Sequence, residues 1–413
     1  MFNLKVLEMS NPKLKHLILV FLLALSIRLL YNALTPSRPL TVDDSTQWIQ
    51  TANRFSEGKG FLTETEGLDP KRAPIYPLFI AMITSLFGPN LDLVKIAQSI
   101  LGSLNCILIY YLSSHTLGTT IALWSSLICT LYPPFIVYSG ILMSETLFTF
   151  LLLFFLLLFT KLLLKPYLKI FIGAGLFLGI ANLCRGTLLL FPVFLLLLPL
   201  LIKDQRKWWL KYILLIAINF SIIFPWTWRN YKVYGGFMPV ASGGSELLWF
   251  GTLPWTEQRL FGNAPSFQKL NLINNPIKNE QLYFKNALNN IILDPTSYFF
   301  LTIKKFIFFW FQPVGQKLTH NKFPIIGQLL FYGHALFIFL TIAGIFYSRQ
   351  FWKNLLPIYL IIIYFSLLHT ILAPEPRYRL PIEPLMILFT VQALYSMIQW
   401  YPKKFATTRV GLT

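Results

Sequence analysis

The feature that most limits what this chain can fold into is a series of apolar runs, many about 20 residues long, with basic segments between them. Coiled as a helix, such a run matches a hydrocarbon core ~30 Å thick. Hydrophobic residues make up 55% of the chain, charged residues 12%, and the mean hydropathy is +0.60. The fold class that follows is an all-α polytopic membrane protein. A formal charge of +19 does not argue for a nucleic-acid partner, because Lys and Arg sit mainly between the apolar runs, where they orient spans. Cys106, Cys129 and Cys184 all fall inside apolar runs and read as small buried hydrophobes. The sequence carries no convincing glycine-rich phosphate loop, cleavable signal or internal repeat.

About ten crossings are expected: Leu17 to Leu34, Leu93 to Ser114, Thr120 to Tyr138, Leu142 to Leu164, Ile170 to Leu183, Leu188 to Ile202, Trp209 to Trp226, Ile325 to Tyr347, Leu355 to Leu372 and Ile382 to Trp400. This count keeps the Lys161 to Lys169 loop, the Lys203 to Lys211 loop and both termini on the cytoplasmic side. The run Tyr76 to Gly88 is too short to cross and predicts a re-entrant or interfacial helix. Residues 1–413 read as a single integral-membrane domain with a first outer loop at 35–92, a large outer loop at 227–324 and no soluble C-terminal domain. Glycines, prolines and asparagines in the large loop predict turns there. Tyr298 to Phe311 predicts an interfacial helix with Lys304 and Lys305 at head-group level.

This topology gathers the ionisable residues at one face. Asp43 and Asp44 precede a short surface helix marked by Trp48, Ala52 and Phe55, with Gly58 as its stop. Asp44 alone would suffice as a cap, which leaves Asp43 unexplained. Glu145 stands where an outer loop enters the fourth span. Lys71, Arg72, Arg185, Arg229, Glu375, Arg377 and Arg379 share its side. Prolines flank Arg72 and the Arg377-Tyr378-Arg379 turn, holding guanidinium forks at the boundary where a phosphate could be met bidentately. Arg28 reads as a lipid head-group anchor, and His115, His334 and His369 as satisfied core residues. Few carboxylates, several arginines and apolar surroundings suit attack on a carbon bonded to a lipid-linked phosphate. A carboxylate takes the acceptor's proton, and arginines hold the departing phosphate.

Six segments, taken in order, resemble the type C glycosyltransferases, in particular the branch that uses polyprenyl-phosphate sugars and includes protein O-mannosyltransferases and lipid A aminoarabinose transferases. They are Asp44-Ser45-Thr46-Gln47-Trp48 with Gly58 to Phe61, Arg72 to Phe79, Ser144 to Phe148, Gly179 to Arg185, Pro225 to Tyr231, and Arg377 to Pro381. The resemblance implies an inverting transfer of a sugar from a polyprenyl phosphate to a lipid, glycan or protein acceptor at the non-cytoplasmic face of a bacterial inner membrane. It implies Asp44 as base, with Asp43 as second choice, and Glu145 at the family's second acidic position. It implies donor-phosphate contacts from Lys71, Arg72, Arg377, Tyr378 and Arg379; Arg185, Arg229 and Lys304 are further candidate substrate contacts. Trp48 departs from the more common Tyr. The metal stays open, with none as the leading expectation and no cofactor certain; were Mg or Mn bound, Asp44 and Glu145 would supply oxygens. The alternative is a lipid or sugar transporter or flippase, which would place its charges nearer the bilayer midplane.

Overall fold

The computed structural model describes residues 14–35, 43–61, 71–258, 265–268, 270, 275–314 and 324–409, without the side chains of residues 43, 44, 267, 268, 324 and 400–409. Among the described residues there is no strand. In chain order the helices are α1 (Leu14–Leu34), α2 (Asp43–Ser56), α3 (Ile75–Phe87), α4 (Leu91–Thr116), α5 (Thr119–Leu131), α6 (Pro133–Gly140), α7 (Glu145–Leu164), α8 (Leu168–Cys184), α9 (Phe191–Leu195), α10 (Leu197–Leu201) and α11 (Trp209–Tyr234). The outer loop then holds α12 (Gly244–Phe250), α13 (Trp255–Gln258), α14 (Pro265–Gln268), α15 (Pro276–Leu293) and α16 (Pro295–Phe311). Three more complete the order: α17 (Pro324–Tyr347), α18 (Trp352–Ile371) and α19 (Glu383–Arg409), with a 3-10 turn over Pro376–Ile382 before the last.

Among the described residues, seven helices are long and apolar enough to cross a membrane, or eight if α5 and α6, a pair bent by 52°, make one span. The bend falls at Pro133 and Pro134, where missing N–H groups and ring clashes break the ladder. The two other expected crossings look different. The first, α8, has 17 residues and spans about 25 Å; the second is divided into α9 and α10, each of five residues.

The bundle centres on α7, α18 and α19, whose side chains are mostly enclosed, while α1, α11 and α17 turn most of theirs outward. Phe148, Phe155, Phe159, Phe171 and Phe365 fill the middle. Small residues set the closest approach. A Cβ on Gly175 would lie 2.6 Å from the Leu215 carbonyl oxygen, and one on Gly179 would lie 2.7 Å from Ile222 Cβ. Side chains this small let α8 lie directly on α11. Asn182 Nδ2 then donates to Asn219 Oδ1 at 3.0 Å across that seam.

The large outer loop is more regular than its composition suggests. Asn275 accepts from the Lys278 N–H at 3.0 Å, Pro276 opens the helix, and the 18-residue α15 follows. Asp294 with Pro295 repeats the device for α16, accepting from the Ser297 N–H at 2.9 Å. Hydrogen bonds from the Ser297 side chain and, after it, from the Ser297 N–H hold the Asp294 carboxyl below its ordinary range. Both starts combine an Asn or Asp cap with Pro at the first helical position.

Candidate active site

Glu145 is the first residue of α7, where its charge suits the helix dipole. It is 2% exposed, and its Oε1 accepts from Arg185 Nη1 at 3.0 Å. Arg185 ends α8 in extended backbone. The turn beyond it is held by the Tyr364 hydroxyl, which donates to the Thr187 carbonyl at 2.5 Å. The Arg185 guanidinium lies 5.0 Å from the centre of the Tyr378 ring, and that of Arg377 lies 5.4 Å from the same centre. Tyr138 on α6 is within electrostatic reach of Glu145, Arg185, Glu375 and Arg377. Residues from three distant parts of the chain therefore meet: Tyr138 with Glu145, Arg185, and the turn that carries Glu375, Arg377 and Tyr378.

A second group adjoins the first. The side chain of Arg72 donates to Gln47 and lies 4.8 Å from the Trp48 ring. Trp48 meets Tyr76 edge-on at 5.2 Å, and the Tyr76 hydroxyl donates to Gln98 Oε1 at 2.5 Å. Burial, and after it the Glu145 charge, push the Tyr76 hydroxyl well above its ordinary range, which ties this group to the carboxylate. The α2 helix runs where its pattern predicts, with Trp48 and Ala52 buried, Phe55 exposed and Gly58 at φ +73° just past its end. It starts at Asp43. The side chains of Asp43 and Asp44, the two expected bases, lie outside the described residues.

Not every outer arginine joins these groups. Arg379 is fully buried: its Nε donates to Glu383 at 3.0 Å, Nη1 to the Phe309 carbonyl and to Trp310 at 3.2 Å, and Nη2 to Gln312 at 3.1 Å. Its donors are committed to tying the end of α16 to the turn before α19, which revises the expectation of a phosphate contact. Arg229 lies 4.9 Å from the Trp226 ring and 5.4 Å from the Tyr234 ring, and donates to the Tyr234 hydroxyl at 3.2 Å. Lys71 pairs with Glu246 at 2.9 Å, joining the first outer loop to α12. Lys304 is exposed on α16.

Lys305 is fully buried and does not face the lipid. It turns inward, donating to the carbonyls of Gly251 at 3.0 Å, Ile371 at 2.9 Å and Leu372 at 3.1 Å. Arg28 also departs from expectation, being buried and not at a head group. It donates to the Ala24 carbonyl at 3.0 Å and contacts Cys106 Sγ at 3.7 Å. Gly102 makes room for it, since a Cβ there would lie 2.8 Å from Arg28 Nε.

Among the histidines, His334 bonds the Trp310 carbonyl at 2.9 Å and His115 the Tyr111 carbonyl at 2.7 Å, as satisfied core residues do. His369 does not: both ring nitrogens are buried with no hydrogen-bond partner among the described residues. No sequence signal separates it from the other two. Among the described residues, no three His, Cys, Asp or Glu side chains form a metal-binding group. Of the two acids expected to supply oxygens to a divalent ion, Glu145 has Oε2 without a hydrogen-bond partner among the described residues, and the Asp44 side chain lies outside them.

A family model described as dolichyl-phosphate-mannose-protein mannosyltransferase matches residues 71–228, a stretch that includes Lys71, Arg72, Glu145 and Arg185. Curated protein sequences returned no match. Among solved structures, the oligosaccharyltransferase AglB of Archaeoglobus fulgidus, in complex with an inhibitory peptide and a dolichol-phosphate, superposes with a TM-score of 0.58 at 16% identity, over 96% of this chain and 51% of that one. The same archaeal enzyme in complex with Zn and sulfate gives 0.59 at 15% identity, over 96% and 50%. ArnT of Cupriavidus metallidurans, bound to undecaprenyl phosphate, gives 0.45 at 14% identity, over 93% and 77%. The chain spans about half the length of the archaeal enzyme. It is a multi-pass integral membrane protein, and the bundle of helices that positions Glu145, Arg185 and Arg377 shares its fold with the archaeal oligosaccharyltransferase.

Proposed function

We propose that this protein is a membrane glycosyltransferase that moves a sugar from a polyprenyl-phosphate donor to an acceptor on the non-cytoplasmic face of the membrane, with inversion at the anomeric carbon. The observation that carries the proposal is the convergence of Glu145, Arg185, Tyr378 and Arg377 at one end of the bundle. The archaeal enzyme of the same fold was solved with a dolichol-phosphate, which supports a lipid-phosphate donor here.

In this reading Asp44, at the start of α2, removes the acceptor's proton as the acceptor oxygen bonds to the anomeric carbon. Asp43 is the second choice. The bond from that carbon to the phosphate oxygen breaks in the same displacement, and the electron pair leaves with the polyprenyl phosphate. Arg377 and Arg185 face the growing negative charge, with Arg72 and Lys71 nearby and Tyr378 as the surface on which the two guanidinium groups rest. Glu145 orients Arg185, so a cation held by a buried carboxylate becomes a fixed part of the site. The α3 helix and the large outer loop cover the region from outside, and the lipid tail extends between spans. We assign the protein to a bacterial inner membrane, with residues 35–92 and 227–324 as its outer loops.

The test is mass spectrometry of envelope lipids and glycoproteins from cells with and without the gene. One hexose, pentose or amino sugar lost from a single class of acceptor is the expected result. Identical glycan and lipid profiles under conditions where the protein is made would refute the proposal.

A further inference from the structure

The cluster around Arg185 contains more hydrogen-bonding capacity than it uses. Glu145 Oε2, Thr187 Oγ1, Thr370 Oγ1 and both ring nitrogens of His369 are buried without a hydrogen-bond partner among the described residues. Buried polar groups normally find partners, because desolvation otherwise goes uncompensated.

His369 stands out because packing alone would be served by a hydrocarbon ring. Its imidazole is 3% exposed and stacks on Tyr378 at 5.0 Å and on Phe309 at 5.4 Å, with Phe365 at 5.7 Å. A phenyl ring would make the same contacts and leave no unmade hydrogen bonds. The two nitrogens therefore detract from stability, a pattern that points to use by a ligand. The surroundings indicate which kind. Arg185 is within electrostatic reach of His369, and the Tyr378 ring that His369 stacks on also carries Arg185 and Arg377. Two guanidinium groups gathered on the ring that the imidazole stacks on, with Glu145 pairing one of them, leave a net positive group that suits an anion. A neutral N–H donor adds a directed bond there without adding a third positive charge.

We infer that His369 is a ligand-contacting residue of this site, one ring N–H donating to a non-bridging oxygen of the phosphate on the polyprenyl donor. The inference rests on the proposed function and adds a contact that the chain's motifs did not reveal.

The test compares wild type, His369→Phe and His369→Gln in lipid nanodiscs. It measures affinity for sugar-free polyprenyl phosphate, thermal unfolding, and the imidazole resonances of 15N-histidine-labelled wild type. His369→Phe is expected to unfold at or above the wild-type temperature yet bind at least tenfold more weakly. His369→Gln should recover part of the affinity, and polyprenyl phosphate should shift one imidazole resonance, the one missing in His369→Gln. Wild-type affinity in His369→Phe would overturn the inference while leaving the functional reading in place. Should His369→Phe fail to fold, an unmoved His369 resonance in wild type that binds the lipid overturns it equally. Failure of wild type to bind polyprenyl phosphate would overturn both.

Discussion

Arg377 and Arg379 stand two residues apart on one proline-bounded turn and lie in different surroundings. Arg377 is half-buried, beside the Tyr378 ring that Arg185 also touches, and within electrostatic reach of the phenol that senses Glu145. Arg379 faces the other way, fully enclosed, and directs its donors to Glu383 and three backbone carbonyls. Arg28 and Lys305 resemble Arg379 in giving their donors to main-chain carbonyls. Position at the membrane edge does not separate a binding cation from a structural one. Arg379 is marked as structural by full enclosure and by the carbonyls that take its donors.

Breaking the structural side should have the largest effect. Arg379→Met leaves the Glu383 carboxylate buried without its cation, and loss of one partner from such a pair costs about 3–5 kcal/mol. Thermal unfolding in detergent should show it, and Arg379→Met with Glu383→Met should recover most of the loss; full stability of the single variant would undo the contrast. Gly102→Ala comes next. Its methyl would sit 2.8 Å from Arg28 Nε, and overpacking of this kind costs roughly 1–3 kcal/mol. A variant as stable as wild type would mean Arg28 has room to move.

On the binding side, Arg377→Ala should leave the unfolding temperature unchanged while raising KM for the polyprenyl-phosphate donor about tenfold, equivalent to ~1.4 kcal/mol. A fall in stability with unchanged KM would put Arg377 in the structural class. The smallest effect concerns Lys305, whose amine burial lowers from 10.5 to about 7. Between those values the unfolded chain binds one more proton than the folded one, so stability should rise as pH increases through that window. Lys305→Met should flatten this slope; an identical slope in the variant would remove Lys305 as its source.

The sequence made the surface helix at Trp48, the outer gathering of arginines and the place of Glu145 legible, because hydrophobic period and loop charge act locally. It could not separate Arg377 from Arg379, since partners nearly 70 residues away in α16 decide the matter. Arg28 reads as a head-group anchor until Gly102, on another helix, is seen to open space for it. The α15 helix was missed because turn-forming residues in the loop outweighed the Asn275-Pro276 start signal, which the structure uses as a cap. The interruption between α9 and α10 follows no Gly or charge in that run, although Pro192 and Pro199 lie within the two pieces.

The most direct trial of the central claim is release of polyprenyl phosphate by the purified protein in nanodiscs supplied with a polyprenyl-phosphate sugar and an envelope extract as acceptor. The account predicts release by wild type, near-complete loss in Asp44→Asn with the fold intact, and weakened donor use in Arg377→Ala. Release by both variants at the wild-type rate would contradict it.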